Sequence, residues 1–507
     1  MISFSKASGS VQNSRGRVIV LFLLFLLALY QFYASGFSAF AAICILPVIV
    51  LAAIFTFRFR MFLFWALFAV NYLIQMKDWP IHGIPISVVN EAFEILLITT
   101  AIIIVDGFPF RRIGNLMFFT LAMWCGFCTL EVLNDTCGLG IDIGAWYQGA
   151  RMMAFQIMYC FLVYTLYITT PNILLKYLYV WGGFALFAVF WVWKQKTIGF
   201  TANEESWLQG PGYVTHVIQG GTLTRYFSIY SDAANFGIGI ASTAVAFIIF
   251  GITAKVKKLR IFFLIVGIAC VWGMFPSGTR TAIACLGAGL GFFIFLSKSI
   301  KIIVPFSIIL FLSFFILAFT NIGNGNSEIR RMRSAFDKND ASANVRSINQ
   351  ETMRKYMAEA PWGIGLGMYG QQVPANNKYN RMATIPADSE YVFIWLRTGK
   401  IGIITFLILT AIMLAGACWI VFFKIKSPTL RGIGAGMCCA FVSQQLGGYG
   451  NMVLMQFPNC LVFYGGLTIV YILPHIEQEW VALENKLLDK QEEKKRLKLE
   501  KKLASRV

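Results

Sequence analysis

A succession of long apolar stretches separated by short polar connections constrains this chain more than any other feature. Apolar residues make up 58% of its 507 residues and charged residues only 13%, about half the charged share of a soluble domain. Because a helix satisfies its own backbone hydrogen bonds in a bilayer, each stretch is predicted to span a membrane as a helix. We therefore expect an all-α polytopic integral membrane protein with about fourteen transmembrane helices, near Val18–Tyr33, Ser38–Thr56, Met61–Met76, Val88–Val105, Ile113–Val132, Arg151–Thr169, Leu174–Trp193, Phe236–Thr253, Ile261–Phe275, Ala282–Leu296, Ile302–Thr320, Ile401–Phe423, Ile433–Leu446 and Pro458–Leu473.

Lysine and arginine are distributed unevenly along the connections. They cluster before the first stretch, in every second connection and after the last stretch, whereas the other short connections hold few. Positive residues favour the cytoplasmic side, so both termini are predicted to be cytoplasmic. The net charge of +19 is then mostly a signal of topology, and nucleic acid is not an expected partner. We expect a cytoplasmic tail (1–16), a transmembrane domain (17–474) with an extracytoplasmic loop (321–387), and a charged cytoplasmic C-terminal helix (475–507).

The extracytoplasmic loop carries positive charge on the side where positive charge is unusual. Asn321–Pro386 holds nine Lys or Arg against five Asp or Glu. The planar guanidinium group of arginine binds phosphate oxygens through two parallel hydrogen bonds, so an anionic ligand is one interpretation. A solvated face on loop helices is the other. The glycine-rich segment Gly363–Gly367 has the composition of a phosphate loop, but no strand precedes it, and we interpret it as a tight turn.

Ionisable residues also stand at the predicted membrane edges. Arg225 precedes the eighth span, Arg280 opens the tenth, and Asp388 and Glu390 lead into the twelfth, with Arg397 one to two turns further on. Such groups are costly near a membrane and are usually paired or functional. Two simpler interpretations stay open. Arg280 and Arg397 could extend to the membrane interface, and Asp388 could cap the helix that follows.

Cysteine and histidine give no sign of a metal site or another cofactor. Ten of the eleven cysteines fall inside predicted spans, where helix packing is their usual role, and only Cys137 is expected to be exposed. The three histidines are scattered along the chain, and none lies in the long loop. We therefore predict no metal and no cofactor.

Four stretches of this sequence carry a resemblance to a known family. They are Arg225 to Gly237, Ser277-Gly278-Thr279-Arg280-Thr281-Ala282, Arg346 to Gly367, and Asp388 to Gly402. In this order they resemble the O-antigen ligase and O-antigen polymerase superfamily of lipid-linked-saccharide glycosyltransferases, over roughly Arg225–Phe423. Ligase members usually carry histidine at the position of Asp388, and this departure favours a polymerase-like or other transferase member.

The resemblance implies a GT-C-like fold and a glycosyltransferase of the bacterial cytoplasmic (inner) membrane. The donor would be a polyprenyl-diphosphate-linked saccharide at the outer face, and the acceptor a saccharide or a lipid-linked saccharide. The product would belong to O-antigen and lipopolysaccharide, capsule or exopolysaccharide. Membrane lipids and other polysaccharide-assembly proteins are the further partners expected.

The resemblance also suggests roles for individual residues. Diphosphate contacts are expected from Arg225, Arg280 and Arg346, because the reaction needs developing charge to be stabilised. Asp388, with Glu390 as second choice, would orient or deprotonate the acceptor hydroxyl. The other substrate-binding candidates are Asp232 and Asn235. The aromatic side chains that could stack on sugar, or form an interfacial belt, are Tyr226, Tyr230 and Trp362.

A polysaccharide flippase or secondary transporter is the alternative function. Such a protein needs polar groups near the membrane midplane, often in repeated halves of the chain. Glu91, Glu94 and Glu131 lie within or at the edges of spans and could serve proton coupling. No internal repeat is visible, which favours the transferase.

Overall fold

The computed structural model describes residues 58–78, 86–104, 110–218, 223–333 and 341–504, together with Leu23, Leu26, Tyr30 and Ile54. The predicted tail 1–16 lies outside the described residues. Apart from the four single positions, so do the first two predicted spans. Side chains are not described for 341–346.

The described chain is almost wholly helical. Its main helices are α1 (58–73), α2 (Ile86–Ile104), α3 (Leu116–Leu130), α4 (Ile143–Tyr167, with a π-helical turn at Arg151–Phe155), α5 (Pro171–Thr197), α6 (Ala202–Gln209), α7 (Ala233–Thr253), α8 (Lys257–Met274), α9 (Arg280–Leu296), α10 (Ile300–Phe319), α11 (Ser327–Arg333), α12 (Ala341–Met357), α13 (Glu390–Trp419), α14 (Pro428–Gly450) and α15 (Asn459–Ala504). The shorter elements are the α-helical turns Phe110–Ile113, Tyr213–His216 and Asn380–Thr384, the 3₁₀ turns Glu131–Leu133, Phe275–Ser277 and Gly370–Gln372, the π-helical turn Ile420–Lys424, and strands β1 (Val217–Ile218) and β2 (Leu223–Thr224). The two strands are antiparallel, with Val217 opposite Thr224.

A helix occupies each of the twelve predicted spans from Met61–Met76 to Pro458–Leu473. Seven helices in the described part are long and apolar enough to cross a membrane: Leu116–Leu133, Ile143–Tyr167, Pro171–Thr197, Ala233–Thr253, Lys257–Ser277, Glu390–Lys424 and Asn459–Leu497. Arg280–Leu296 and Ile303–Ser313 are shorter apolar helices. The all-α membrane architecture is therefore confirmed, and the count of fourteen spans stays a prediction.

Helix α7 lies at the centre of the bundle, between α8, α9 and α14. Small residues let these helices approach closely, as is usual inside membranes where packing drives helix association. A Cβ atom at Gly436 of α14 would lie 2.5 Å from the ring of Phe250, and one at Gly289 of α9 would lie 2.8 Å from Val245. Both contacted residues belong to α7, so these two glycines set its distance from α9 and α14.

The connections between helices form two sets, one at each end of the bundle. At one end, Lys426 N–H and Ser427 N–H donate to the Glu477 carboxylate (2.7 and 2.6 Å), and Lys257 N–H donates to Gln491 Oε1 (2.8 Å). These residues all belong to predicted cytoplasmic connections and the C-terminal helix. The predicted extracytoplasmic connections likewise contact one another at the other end, as described below. The separation of the connections into two sets fits the alternating direction of the predicted spans. Which end of the bundle faces the cytoplasm stays a prediction.

The long loop has a small apolar core of its own. Met353, Met357, Ile364 and Met382 are buried there against Leu396 of α13. Cys137 joins this core at 8% exposure, and its thiol donates to Ile364 O (3.4 Å). The expectation that Cys137 is exposed was therefore wrong, because the loop folds over it.

Candidate functional site

Helix α7 begins at a cap formed by Asp232. Oδ1 of this carboxylate accepts hydrogen bonds from Ala234 N–H (2.8 Å) and Asn235 N–H (2.9 Å), and Oδ2 lies 2.8 Å from the Ser231 hydroxyl. A carboxylate at this position satisfies otherwise unpaired N–H groups and interacts favourably with the helix dipole. Asp232 therefore fixes where α7 starts.

Asn235, one turn into α7, is fully buried and fully hydrogen-bonded. Its Nδ2 donates to Ser231 Oγ (3.0 Å) and to Phe457 O (2.9 Å), and its Oδ1 accepts from Asn459 Nδ2. With these bonds the amide ties α7 to the start of α15. These contacts are those of a residue that fixes the position of α7 against α15.

Arg225 joins the first motif to the second, although it precedes Ser277 by 52 residues. Its Nε donates to Ser277 O (3.2 Å), its Nη2 to Thr279 Oγ1 (3.0 Å) and its Nη1 to Thr215 O (2.9 Å). Thr279 Oγ1 in turn donates to Ala233 O (2.9 Å), at the start of α7. One guanidinium thus holds the turn from which Arg280 begins α9.

Gly278 lets this turn pass close to Arg225. Its φ of 57° is in the left-handed region, and a Cβ atom there would lie 3.2 Å from Arg225 Cγ. Arg331 of α11 reaches the same turn from the long loop, and its Nε donates to Gly278 O (3.3 Å). Arg225 and Arg331 therefore both contact one turn, which ends at Arg280 and which we call the arginine turn (Ser277–Arg280).

The segment that leads from Arg225 to α7 is held by Gln195 of α5, by Lys77 and by a small cap, which consists of α6, the turn Tyr213–His216 and the β1–β2 hairpin. Ser228 has a positive φ of 54°, and the Gln195 amide holds it by exchanging two hydrogen bonds with its backbone (2.8 and 3.2 Å). Non-glycine residues in this region are strained and need such support. Lys77 donates to Ser231 O (2.8 Å) and lies over the ring of Trp207, with Nζ 3.9 Å from the ring centroid.

Burial shifts the pKa values of two basic groups, Lys77 against this cap and His216 within it. Loss of solvation lowers the pKa of Lys77 to about 8, against the opposing effect of Asp232 and Glu204. Burial, reinforced by the charge of Arg225, lowers the pKa of His216 to about 4. Neutral His216 accepts a hydrogen bond from Ala233 N–H through Nε2 (3.0 Å), so its uncharged form contributes to the start of α7.

A cavity of about 440 Å³ lies between β2 of the cap and the start of α11, and one of its lining residues, Tyr226, donates its N–H to Pro276 O (3.1 Å) just before the arginine turn. It is lined by Lys196, Leu223, Thr224, Tyr226, Gly325, Asn326, Ser327 and Glu328. Lys196 and Glu328 form an ion pair (2.7 Å) across it. Of the aromatic candidates, Tyr226 faces this cavity and Trp362 is 51% exposed, whereas Tyr230 is 1% exposed and cannot stack on a sugar.

The third and fourth motifs also meet. Ile364 N–H donates to Leu396 O (2.9 Å) and Gly365 N–H donates to Arg397 O (3.1 Å). A Cβ atom at Gly363 would lie 2.4 Å from the Arg397 carbonyl carbon. The glycine-rich segment is thus a tight turn packed against backbone, as predicted, and α13 is interrupted beside it at Gly399 (φ 66°, ψ −167°).

Asp388 and Glu390 have different surroundings. Asp388 has a φ of 53° in a turn closed by Ser389 N–H donating to Ala387 O (2.6 Å). The cap residue of α13 is Ser389, and the half-exposed Asp388 carboxylate forms no hydrogen bond with a described residue. The interpretation of Asp388 as a helix cap was therefore wrong. Glu390 is 1% exposed and accepts from Leu454 N–H (3.0 Å), so it fixes the connection between α14 and α15.

This α14–α15 connection links the two pairs of motifs. Asn451 Nδ2 donates to Thr281 Oγ1 (3.3 Å) in the second motif, and three residues later Leu454 contacts Glu390 in the fourth. Ser389 Oγ also donates to Gly448 O (3.1 Å) at the end of α14. The motifs therefore form one continuous region at the end of the bundle that the charge pattern predicts to be extracytoplasmic.

Arg346 is the one candidate whose position at the site is not described. Its backbone lies in α12, but its side chain lies outside the described residues. Sequence reasoning did not single out Lys77 and Gln195, and it considered Arg331 only as one of the arginines of the long loop, because their contacts lie far away in sequence. Within the described ranges, no group of three or more His, Cys, Asp or Glu residues could hold a metal ion.

The bundle and the region where the motifs meet define a multi-pass helical membrane protein with a polar, arginine-rich site at one end. A protein-family model described as "O-Antigen ligase" matches residues 265–407. This match confirms the resemblance to the O-antigen ligase superfamily over that part of the chain. Arg280, Arg346, Asp388 and Glu390 lie inside the matched region, whereas Arg225, Asp232 and Asn235 precede it. The comparison with curated proteins found no match.

Proposed function

We propose that this protein is a glycosyltransferase that polymerises polyprenyl-diphosphate-linked oligosaccharide units at the outer face of the bacterial cytoplasmic membrane. The proposal depends chiefly on one observation: four motifs far apart in sequence form one continuous region. The first two meet at the arginine turn, and the α14–α15 connection joins them to the third and fourth. The family match supports a role in O-antigen or other polysaccharide assembly, and it does not separate polymerisation from ligation.

The arginine turn is the proposed diphosphate site. Arg225 and Arg331 hold the turn through its carbonyl oxygens, and Arg280 begins α9 directly after it. Preorganised cations of this kind stabilise the negative charge that develops on a diphosphate leaving group. Arg346 is proposed as a further contact from the long loop. Asp232 and Asn235 position the turn through the start of α7.

Asp388 is the proposed acceptor-orienting group. Its carboxylate forms no hydrogen bond within the described part of the chain, whereas the Glu390 carboxylate is buried and bonded to backbone. Orientation of the acceptor hydroxyl by Asp388 supplies proximity and a hydrogen-bond acceptor. The anomeric carbon is then attacked in line with the departing diphosphate, with inversion.

A strain that lacks the native gene tests the proposal and separates the two reaction types. If the protein polymerises, the strain makes saccharide of one repeat unit, and the gene restores long chains. If it ligates, full-length chains accumulate on the polyprenyl carrier and never reach their final acceptor. The Arg280→Gln variant, present at the same protein level as the wild type, is expected to give the phenotype of the strain that lacks the gene. Restoration of normal product by this variant would contradict the assignment.

One observation favours a transporter as the second candidate. Glu94 of α2 is 1% exposed, its Oε2 has no hydrogen-bond partner among the described residues, and it lies one turn from Asn90, which contacts Asn71. Buried acids inside membranes often serve proton transfer. A transporter without its gene would leave unjoined units on the cytoplasmic face, whereas a polymerase would leave them on the outer face.

A further inference from the structure

Arg397 is a buried cation whose charge is not neutralised within the described part of the chain. The residue lies on α13 just before the break at Gly399 and is 3% exposed. Its Nε and Nη1 atoms have no hydrogen-bond partner there, and no described carboxylate forms an ion pair with it. An arginine that extended to the interface would be solvated, so this interpretation of Arg397 was wrong.

The surroundings of Arg397 hold it in place. The rings of Phe393 and Tyr369 lie 5.1 and 5.3 Å from its Cζ atom. Such rings attract a cation, but they carry no net charge to neutralise it. Gly365 N–H donates to Arg397 O, and Gly399 packs against Pro361, so the backbone is fixed on both sides. The side chain therefore stays enclosed. Burial of its unpaired charge costs free energy, and a bound anion would offset that cost.

We propose that Arg397 binds the carboxylate of an acidic sugar unit in the saccharide substrate. This inference rests on the proposed function and adds to it a substrate class. A single enclosed guanidinium matches one negative charge, whereas the arginine turn, which Arg225 and Arg331 contact and Arg280 ends, suits the more highly charged diphosphate. Of the two aromatic rings beside Arg397, that of Tyr369 is the more exposed and gives the apolar face of a sugar ring a surface to contact.

Tyr369 marks the route by which a sugar would reach Arg397. It is half-buried, whereas Phe393 is 8% exposed, so it is the more exposed of the two rings. Its hydroxyl donates to Gln148 Oε1 (3.1 Å), and the next residue, Gly370, has a φ of 58°. In the described part of the chain, this hydrogen bond to Gln148 is the polar contact that holds the Tyr369 ring over Arg397.

The test measures thermal unfolding of the detergent-solubilised full chain with sodium glucuronate as the probe. Glucose and sodium phosphate at matched ionic strength serve as reference ligands. Glucuronate is expected to raise the melting temperature of the wild type, and neither reference is expected to match it. Arg397→Gln and Arg397→Met are expected to weaken glucuronate binding at least ~10-fold, the effect of losing one charge-assisted hydrogen bond. Arg381→Met, which removes an exposed arginine of the same loop, is expected to retain the shift.

A second readout separates ligand binding from a structural role. Without ligand, Arg397→Met removes an enclosed charge and is expected to leave the melting temperature unchanged or higher. A lower melting temperature for this variant would identify Arg397 as a packing residue and overturn the proposal. So would an equal shift with glucose or phosphate, or an unchanged glucuronate shift in Arg397→Gln.

Failure of this inference is distinguishable from failure of the proposed function. The glucuronate shift of the melting temperature needs no turnover and is measured without donor or acceptor, so it does not depend on the transferase assignment. If glucuronate raises the melting temperature as expected but Arg280→Gln leaves the polymer yield unchanged, only the transferase assignment is contradicted. If Arg280→Gln abolishes the polymer but glucuronate does not raise the melting temperature of the wild type, only the acidic-sugar assignment is contradicted.

Discussion

Replacement of Arg225 by lysine tests whether the geometry of the arginine turn, rather than its charge alone, supports transfer. The guanidinium donates to three acceptors, Ser277 O, Thr215 O and Thr279 Oγ1, at 3.2, 2.9 and 3.0 Å through three different nitrogens. A lysine ammonium keeps the charge but is a single point on a flexible stem. We expect it to reach one of these acceptors and to lose the other two.

The expected loss follows from the two missing hydrogen bonds. A hydrogen bond to a charged donor contributes roughly 1.5–3 kcal/mol, and because Arg225 is half-buried we take the lower value. Two such bonds amount to about 3 kcal/mol, which corresponds to about a hundredfold in rate if the turn must keep its shape in the transition state. A purely electrostatic role would leave the rate of the lysine variant nearly unchanged.

The assay is the initial rate at which purified protein joins polyprenyl-diphosphate-linked units, measured at equal amounts of folded protein. Thr279→Ser is the matched control, since it keeps the hydroxyl that both accepts from Arg225 and donates to Ala233 O. Thr279→Val removes both bonds and is expected to follow Arg225→Lys. A rate for Arg225→Lys within threefold of wild type would refute the reasoning, whatever the result for Thr279→Val.

Four further predictions concern other parts of the molecule. Asp388→Asn is expected to lower polymer yield at least ~10-fold without unfolding the protein, because asparagine also tolerates the positive φ at this position; wild-type yield would exclude Asp388 from the reaction. Stability is expected to fall as the pH drops from about 6.5 towards 4, by up to about 3 kcal/mol, because the unfolded chain binds the proton that buried His216 excludes; thermal melts of His216→Gln over this range are expected to show a flatter profile. Gly399→Ala is expected to reduce the folded yield sharply, since its φ is 66° and the new Cβ would lie 2.0 Å from Pro361 O, whereas Gly183→Ala, where no atom lies within 4 Å of the new Cβ, is expected to fold normally. A cysteine placed at Asn326 is expected to react with a membrane-impermeant reagent in intact cells, and labelling only after permeabilisation would reverse the predicted orientation.

The sequence determined where the helices lie because hydropathy is a local property. Each apolar stretch has to satisfy its backbone within itself, and the twelve predicted spans that fall in the described part all coincide with helices. The order of four short motifs was likewise sufficient to indicate the O-antigen ligase superfamily, which the family model confirms over 265–407. The glycine-rich segment was correctly interpreted as a turn, because no strand precedes it.

Only the tertiary structure decided what individual polar residues do, since their partners lie far away in sequence. Asn235 and Glu390 were expected at the substrate; the structure shows that both bond to connections between distant helices, and their contact with substrate stays a prediction. Arg397 is enclosed rather than solvated, and Asp388 precedes the cap of α13 rather than forming it. Arg331 donates to the carbonyl oxygen of Gly278, 53 residues away along the chain, and so contacts the arginine turn. Hydrogen-bond partners, and the charges left without one, are set by the packing of helices against each other, which no local pattern of residues specifies.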